Sequence, residues 1–272
     1  YYMSDNQFAT NGGSAGVGVF AFDREKMLAG DPLATYQYFD LELSNPNFFG
    51  LLPCDLDGPP PPAGTPNYFA MIDDEILNSF DALYLWEFRV NWTNPALSTF
   101  GHNGQPNGTN RTASFDSLFI NGRNTIRQPG VTQKLDPISD RLMHRLQYRH
   151  FGSHESLVGC HTVNVDTNNQ AGVRYYELRR PLPGGEFAVA EQATFAPDAA
   201  SRWMGSAAMD SQGNLAVGYS VSSDTVHPSI RYAGRRASDP SNCLFLGEAT
   251  LFAGAASQTG GNRWGDYTAL SV

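Results

Sequence analysis

Four of the six histidines, His144, His150, His154 and His161, fall within 18 residues and are interleaved with Arg145, Tyr148, Arg149 and Glu155. Alternate side chains of a strand share a face, so His144, Leu146 and Tyr148 would lie on one side and Arg145, Gln147 and Arg149 on the other. Glu155 and His161 then belong to the next strand and face the first across a hairpin. A Tyr/His/Arg set suits abstraction of the proton alpha to a uronate carboxylate. Arginine would neutralise the acid group while tyrosine or histidine moves the proton. Tyr148, Arg149, His154, Glu155 and His161 are therefore the candidate catalytic residues. The same residue types equally suit a buried Arg–Glu–His network that holds neighbouring sheets together. A metal held by His154, Glu155 and His161 has no zinc-type spacing behind it.

A second set comes from an internal repeat. Arg141-Leu-Met, Arg202-Trp-Met and Arg263-Trp-Gly recur at a spacing of 61 residues. Guanidiniums gathered at one rim would bind the carboxylates of an acidic glycan bidentately. Arg141, Arg202, Arg263, Trp264 and Asp266 are thus candidate binding residues. Against this, a residue repeated at one position of a structural unit also serves to pack units together, and Arg–Trp pairs stack well. Asp210, Asp224 and Glu248 are scattered carboxylates without a pair spacing that marks a glycosidase.

The elements that must position these groups read as strands. Short runs rich in aromatic and β-branched residues, bounded by Gly, Pro, Asn and Asp, occur at 17–22, 34–39, 82–90, 156–165, 172–178, 215–221 and 248–253. Many alternate with the period of two expected of a half-buried strand. Helix is confined to one short turn near residues 23–29, and the stretches at 57–64 and 98–112 read as long exposed loops. Within the repeat, residues 201–261 spell four strands and a return to the start, which is the plan of one β-propeller blade. The expectation is an all-β propeller of four-stranded antiparallel blades, with four to five blades visible. Their approximate extents are 1–65, 66–139, 140–200, 201–261 and a partial unit at 262–272. The first blade lacks its innermost strand; either residues 263–272 supply it, pairing the two ends of the chain to close the ring, or further blades belong to the pattern beyond these ends. Both ends look internal to strands, which suggests a segment of a larger assembly.

The chain has 272 residues with 27 acidic against 18 basic, a net charge of −9, 27 Gly and 17 Pro. Its length accommodates a sizeable core. An acidic chain does not offer the basic face of a nucleic-acid binder, and no run is long and apolar enough to span a membrane. Only Lys26 and Lys134 are lysines, so 16 of the basic residues are arginine. Three cysteines, Cys54, Cys160 and Cys243, allow at most one internal disulfide and leave one thiol over. The triplets Asn91-Trp-Thr, Asn107-Gly-Thr and Asn110-Arg-Thr match the N-glycosylation pattern. Few lysines and abundant Asn, Ser, Thr, Gly and Tyr point to a secreted protein.

The runs Gly18-Val-Phe-Ala-Phe-Asp-Arg-Glu-Lys-Met-Leu-Ala-Gly30, Asp140-Arg-Leu-Met-His-Arg-Leu-Gln-Tyr-Arg149 with His154-Glu155, and Asn262-Arg-Trp-Gly-Asp-Tyr267 resemble a group of large, secreted, mostly uncharacterised microbial β-propeller proteins. These are loosely similar to the sialidase-like, Asp-box propellers. The resemblance implies a secreted propeller with no settled activity. An Asp-box reads Ser-x-Asp-x-Gly-x-x-Trp. The stretch Asp210-Ser-Gln-Gly-Asn has one residue too many between Asp and Gly and no Trp in place, a departure that bears on sialidase activity rather than on the fold. The functional expectation is a structural, adhesive or glycan-binding module, whose partners are carbohydrates or other extracellular proteins. The alternative is a polysaccharide lyase or glycoside hydrolase acting on acidic glycans through the His/Tyr/Arg cluster. No cofactor is expected, a structural calcium ion aside.

Overall fold

The computed structural model describes residues 1–272, in two compact units made of residues 1–54 with 61–110, and 55–60 with 111–272. The fold is all-β. In chain order the elements are β1 (Tyr2–Phe8), β2 (Ser14–Phe22), α1 (Arg24–Leu28), β3 (Tyr36–Asp40), β4 (Leu52–Asp57), β5 (Asn67–Asp73), β6 (Ala82–Arg89), β7 (Thr99–Phe100) and β8 (Gly108–Arg111). They continue with β9 (Met143–His150), β10 (His154–Asn164), β11 (Ala171–Pro181), β12 (Ala188–Phe195), β13 (Ser201–Met209), β14 (Leu215–Ser222), β15 (Ser229–Arg235) and β16 (Glu248–Phe252).

In the first unit, β1, β2 and β3 form an antiparallel sheet in sequential order. Alternation sends Val17, Val19, Ala21 and Phe39 inward. They join Phe69, Trp86, Phe88 and Phe100 of the strands β5 to β7 in one apolar core. Each such large side chain, once fully buried, contributes roughly 1.5–3 kcal/mol. The short helix α1 starts where the Asp23 side chain accepts the Lys26 N–H, an N-cap that satisfies one of the orphan donors of the first turn. Strand β4 was not expected from the sequence. Its Pro53 removes a donor and its outer residues are polar, yet Leu52 and Pro53 pair with Ala70 and Phe69 of β5.

In the second unit, β9 to β12 form an antiparallel meander in which each strand lies beside the next. Strands β13 to β16 form another of the same plan. The turn between β13 and β14 is stapled by Asp210, whose Oδ1 accepts the N–H groups of Gln212 at 2.8 Å and Asn214 at 3.0 Å. Val158, Cys160, Val173 and Tyr175 pack with Ala207, Met209, Val217 and Tyr219 in one core cluster.

The closing strand expected at residues 263–272 is not formed. Residues 253–272 contain no strand, and the sheet of β1 has three strands. The cause is local. Gly265 and Tyr267 both adopt positive φ, at 77° and 64°, which interrupts an extended run. The Leu270 N–H is taken by Ser206 Oγ at 3.0 Å, and a Cβ at Gly265 would lie 2.4 Å from Ser220 Oγ. The tail therefore lies against β13 and β14 through side-chain bonds instead of a ladder.

Candidate functional site

At one end of the sheets of the second unit, several connections converge: the β10–β11 turn, the β12–β13 link, the β14–β15 turn and the segment that precedes β9. Between them is a cleft of about 510 Å³, lined by Arg127, Gln170, Asp198, Asp224, Thr225 and Arg231 among others. Its walls carry hydroxyls, amides and opposed charges beside the apolar Ala199, Ala200 and Val226, and no aromatic ring is among the lining residues. Arg127 Nη1 meets Asp224 Oδ2 at 2.8 Å, with both groups largely in solvent.

Arg202 lies behind this cleft. The 61-residue repeat placed it on a rim facing a ligand, but its side chain is 0% exposed. Its guanidinium holds Asp198 bidentately at 2.8 and 3.0 Å and reaches Glu248 Oε1 at 2.8 Å. The hydrogen bonds from Arg202 hold the Asp198 carboxyl below the usual carboxylate range, against a smaller opposing effect of burial. Asp198 is therefore an ionised acceptor at neutral pH, unsuited to donate a proton. Glu248 also accepts from Arg231 at 2.6 Å and from the Tyr219 hydroxyl at 2.9 Å. Burial opposes the Glu248 charge, but the bonds from Arg202 and Arg231 prevail and its pKa is lowered. The Nε–H of Arg231 is buried and has no acceptor in the protein. Arg202 is thus a positioning residue that fixes Asp198 in the wall.

The other repeated arginines occupy different settings. Arg141 precedes β9 by two residues and pairs with Asp140 at 2.9 Å, and Asp140 also takes Arg123 at 3.0 Å. Arg263 lies in the irregular tail, half in solvent and ion-paired with Asp266. Trp264 packs against the cluster of Trp203, Met204 and Ile126. The three motifs share a spacing in sequence without sharing a strand position.

The expected hairpin is present: β9 pairs with β10 so that Tyr148 faces Leu157 and Arg149 faces Ser156. Tyr148 donates to Glu155 Oε1 at 2.7 Å, and Glu155 Oε2 receives Arg180 Nε at 2.6 Å. Glu155 is 1% exposed. Arg149 and Gln147 both donate to the Met209 carbonyl, at 2.9 and 2.8 Å, and Arg145 holds Asp57 with both terminal nitrogens. Burial opposes the charge of Asp57, yet the bonds from Arg145 and Gln147 hold its pKa down. His161 is enclosed by a parallel Tyr176 ring and an edge-on Phe115 ring, with its Nε2 3.0 Å from the Tyr176 hydroxyl. His154 is on the opposite face of β10, stacked on Phe151 at 4.7 Å. Tyr148, Arg149, Glu155 and His161 are all buried. No cluster of three His, Cys, Asp or Glu side chains comes together as a metal site.

Among the sequons, Asn110 is buried, while Asn91 and Asn107 retain partial access. The Asn91 carboxamide caps its own loop by accepting the N–H groups of Thr93 and Asn94. No disulfide joins the three cysteines; Cys160 is fully buried, its thiol pushed up to about 12 by that burial.

Asp224 and Arg202 were visible in the sequence, whereas Asp198, Arg127, Gln170 and Arg231 were not singled out. The available signal was Asp198, four residues before Arg202 in the link between two sheets. The other copies of the repeat carry Pro137 and Thr259 there, so the periodicity pointed away from it. No protein family, curated protein or solved structure matches this chain.

Proposed function

We propose that this chain is a secreted, glycan-binding module of the β-propeller type that holds its ligand without cleaving it. The observation that carries this reading is the cleft of the second unit. Its hydroxyls, amides and paired charges complement the hydroxyl groups of a sugar, and Arg202 holds Asp198 in place as an acceptor before any ligand arrives. Preorganised polar groups of this kind bind at lower entropic cost than groups that must be ordered. The four-stranded antiparallel sheet β13–β16, with its strands in sequential order, supports the propeller reading, as does a cleft at the ends of strands where successive connections converge. The burial of Tyr148, Arg149, Glu155 and His161 favours binding over a lyase or hydrolase mechanism at that cluster.

The test is affinity electrophoresis of the intact chain through gels that contain single polysaccharides, alongside an assay for new reducing ends. Retardation by at least one polysaccharide without product, weakened by Arg127→Ala with Asp224→Ala, is the expected result. Retardation unaffected by that pair would remove the cleft from the account.

A further inference from the structure

The outward face of the β1–β2–β3 sheet carries a ladder of aromatic rings. The register places Phe20 opposite Tyr38 and Phe22 opposite Tyr36. Their centroids are 4.8 Å apart for Phe20–Tyr38, 5.9 Å for Phe22–Tyr36 and 5.9 Å for Phe20–Phe22, the last pair within 14° of parallel. These residues alternate with Val19, Ala21, Gln37 and Phe39, which point inward, so the rings are not part of the core. Tyr36 is 58% and Tyr38 41% exposed, and Met3, opposite Phe20, is exposed beside them.

Polar groups border the rings. Gly18 lies between Asp5 and Asp40 in the register, and a Cβ there would sit 2.5 Å from Asp5 Oδ1, 2.6 Å from Gln7 Nε2 and 3.0 Å from the Tyr38 ring. Glycine at this position lets carboxylate, amide and ring close up side by side. Gln7 Nε2 donates to the Tyr38 hydroxyl at 2.8 Å, which fixes that ring's edge. The sheet face itself carries Asp5 and Asp40 and no lysine or arginine. Arg24, two residues beyond β2, is engaged by Glu25 at 2.8 Å and lies over the Tyr1 ring.

We infer that this ladder is a second binding site, for a neutral polysaccharide chain, resting on the glycan-binding reading of the protein. The negative π-faces of neighbouring rings suit the weakly positive C–H bonds on the apolar face of a pyranose. Adjacent polar groups then receive and donate to the hydroxyls at the sugar's edge. Charge decides the class. Two carboxylates with no free cation repel a uronate or sulfated chain and leave an uncharged one unopposed. Contiguous exposed apolar surface with a polar border marks a binding site rather than incidental exposure.

The experiment uses the intact chain in affinity gels of galactomannan and laminarin as neutral chains and alginate as an acidic one. Three proteins are compared: the unaltered chain, Tyr36→Ala with Tyr38→Ala, and the cleft pair Arg127→Ala with Asp224→Ala. Both tyrosines are exposed, so an unchanged melting temperature shows that the fold is kept. Retardation in a neutral gel, weakened about tenfold by the tyrosine pair and absent in alginate, supports the inference. Retardation that survives the tyrosine pair, or retardation in alginate that it abolishes, overturns the ladder while leaving the cleft reading to its own variant. Absence of retardation in every gel overturns both. A concentration-dependent dimer that the tyrosine pair dissolves would show that the face is covered by a second copy, and would also overturn the ladder.

Discussion

His161 makes the fold sensitive to mild acid in a way that can be calculated. Burial pushes its pKa from 6.5 down to about 3, aided by the nearby Arg174 guanidinium and slightly opposed by a backbone hydrogen bond with Thr162. Its Nδ1 is buried and makes no hydrogen bond in the protein, so a proton added there would lie out of water and near the Arg174 charge. The unfolded chain takes up that proton near pH 6.5 and the folded chain does not until about pH 3. The stabilising contribution is therefore complete above pH 6.5 and is lost progressively as the pH falls toward 3. Between pH 7.5 and 5.0 this single group costs about 2 kcal/mol, approaching a slope of about 1.4 kcal/mol per pH unit below 6.5. Urea unfolding followed by tryptophan fluorescence reads it directly, comparing the unaltered chain with His161→Gln at both pH values. The variant should be less stable at pH 7.5, because it disturbs the packing between Tyr176 and Phe115. It should nevertheless lose about 2 kcal/mol less on acidification. Equal losses in the two proteins would refute the reasoning, since every other group titrates in both.

Three further outcomes follow from the buried ion pairs. Glu248→Ala leaves the fully buried Arg202 with Asp198 and the Ala200 carbonyl and takes the acceptor from Tyr219, so it should cost about 3–5 kcal/mol by urea midpoint. Arg202→Met should cost clearly less, because Glu248 keeps Arg231 and Tyr219. Tyr148→Phe should cost about 1 kcal/mol and Glu155→Ala more, since the latter removes a buried carboxylate that bonds both Tyr148 and Arg180; polysaccharide retardation should be unchanged for the folded Tyr148→Phe protein. Asp57, Asp198 and Glu248 all have lowered pKa values. Their contribution is present above the unfolded carboxylate values of 3.8–4.5 and lost below them, so a second acid transition should persist in His161→Gln.

The all-β plan was readable from alternation. The runs at 17–22, 34–39 and 215–221 correspond to β2, β3 and β14, because a half-buried strand writes its period of two into the sequence; the run at 82–90 corresponds to β6, which is buried along most of its length and reads as a continuous apolar run. Strand β4 carried no such signal: its sequence, Leu-Pro-Cys-Asp-Leu-Asp, holds a proline and two acids and lacks a β-branched or aromatic run. The tail at 263–272 failed in the opposite direction, since its apolar residues mimic a strand while Gly265 and Tyr267 turn the backbone. In the site, the hairpin of β9 and β10 and the contact of Tyr148 with Glu155 were legible, because register follows from chain order. Burial was not. Whether Arg149 or Arg202 faces water depends on sheets that pack over them from far along the chain, which a local pattern does not record. The cleft was hidden for the same reason, as it is assembled from loops nearly a hundred residues apart.

The central claim is that the chain binds carbohydrate and does not cleave it. The most direct measurement is incubation of the intact protein with a panel of neutral and acidic polysaccharides, reading gel retardation together with reducing ends and unsaturated uronate absorbance. Retardation by at least one polysaccharide with neither product is the predicted result. Release of reducing ends or of unsaturated uronate, or the absence of retardation across the panel, would contradict it.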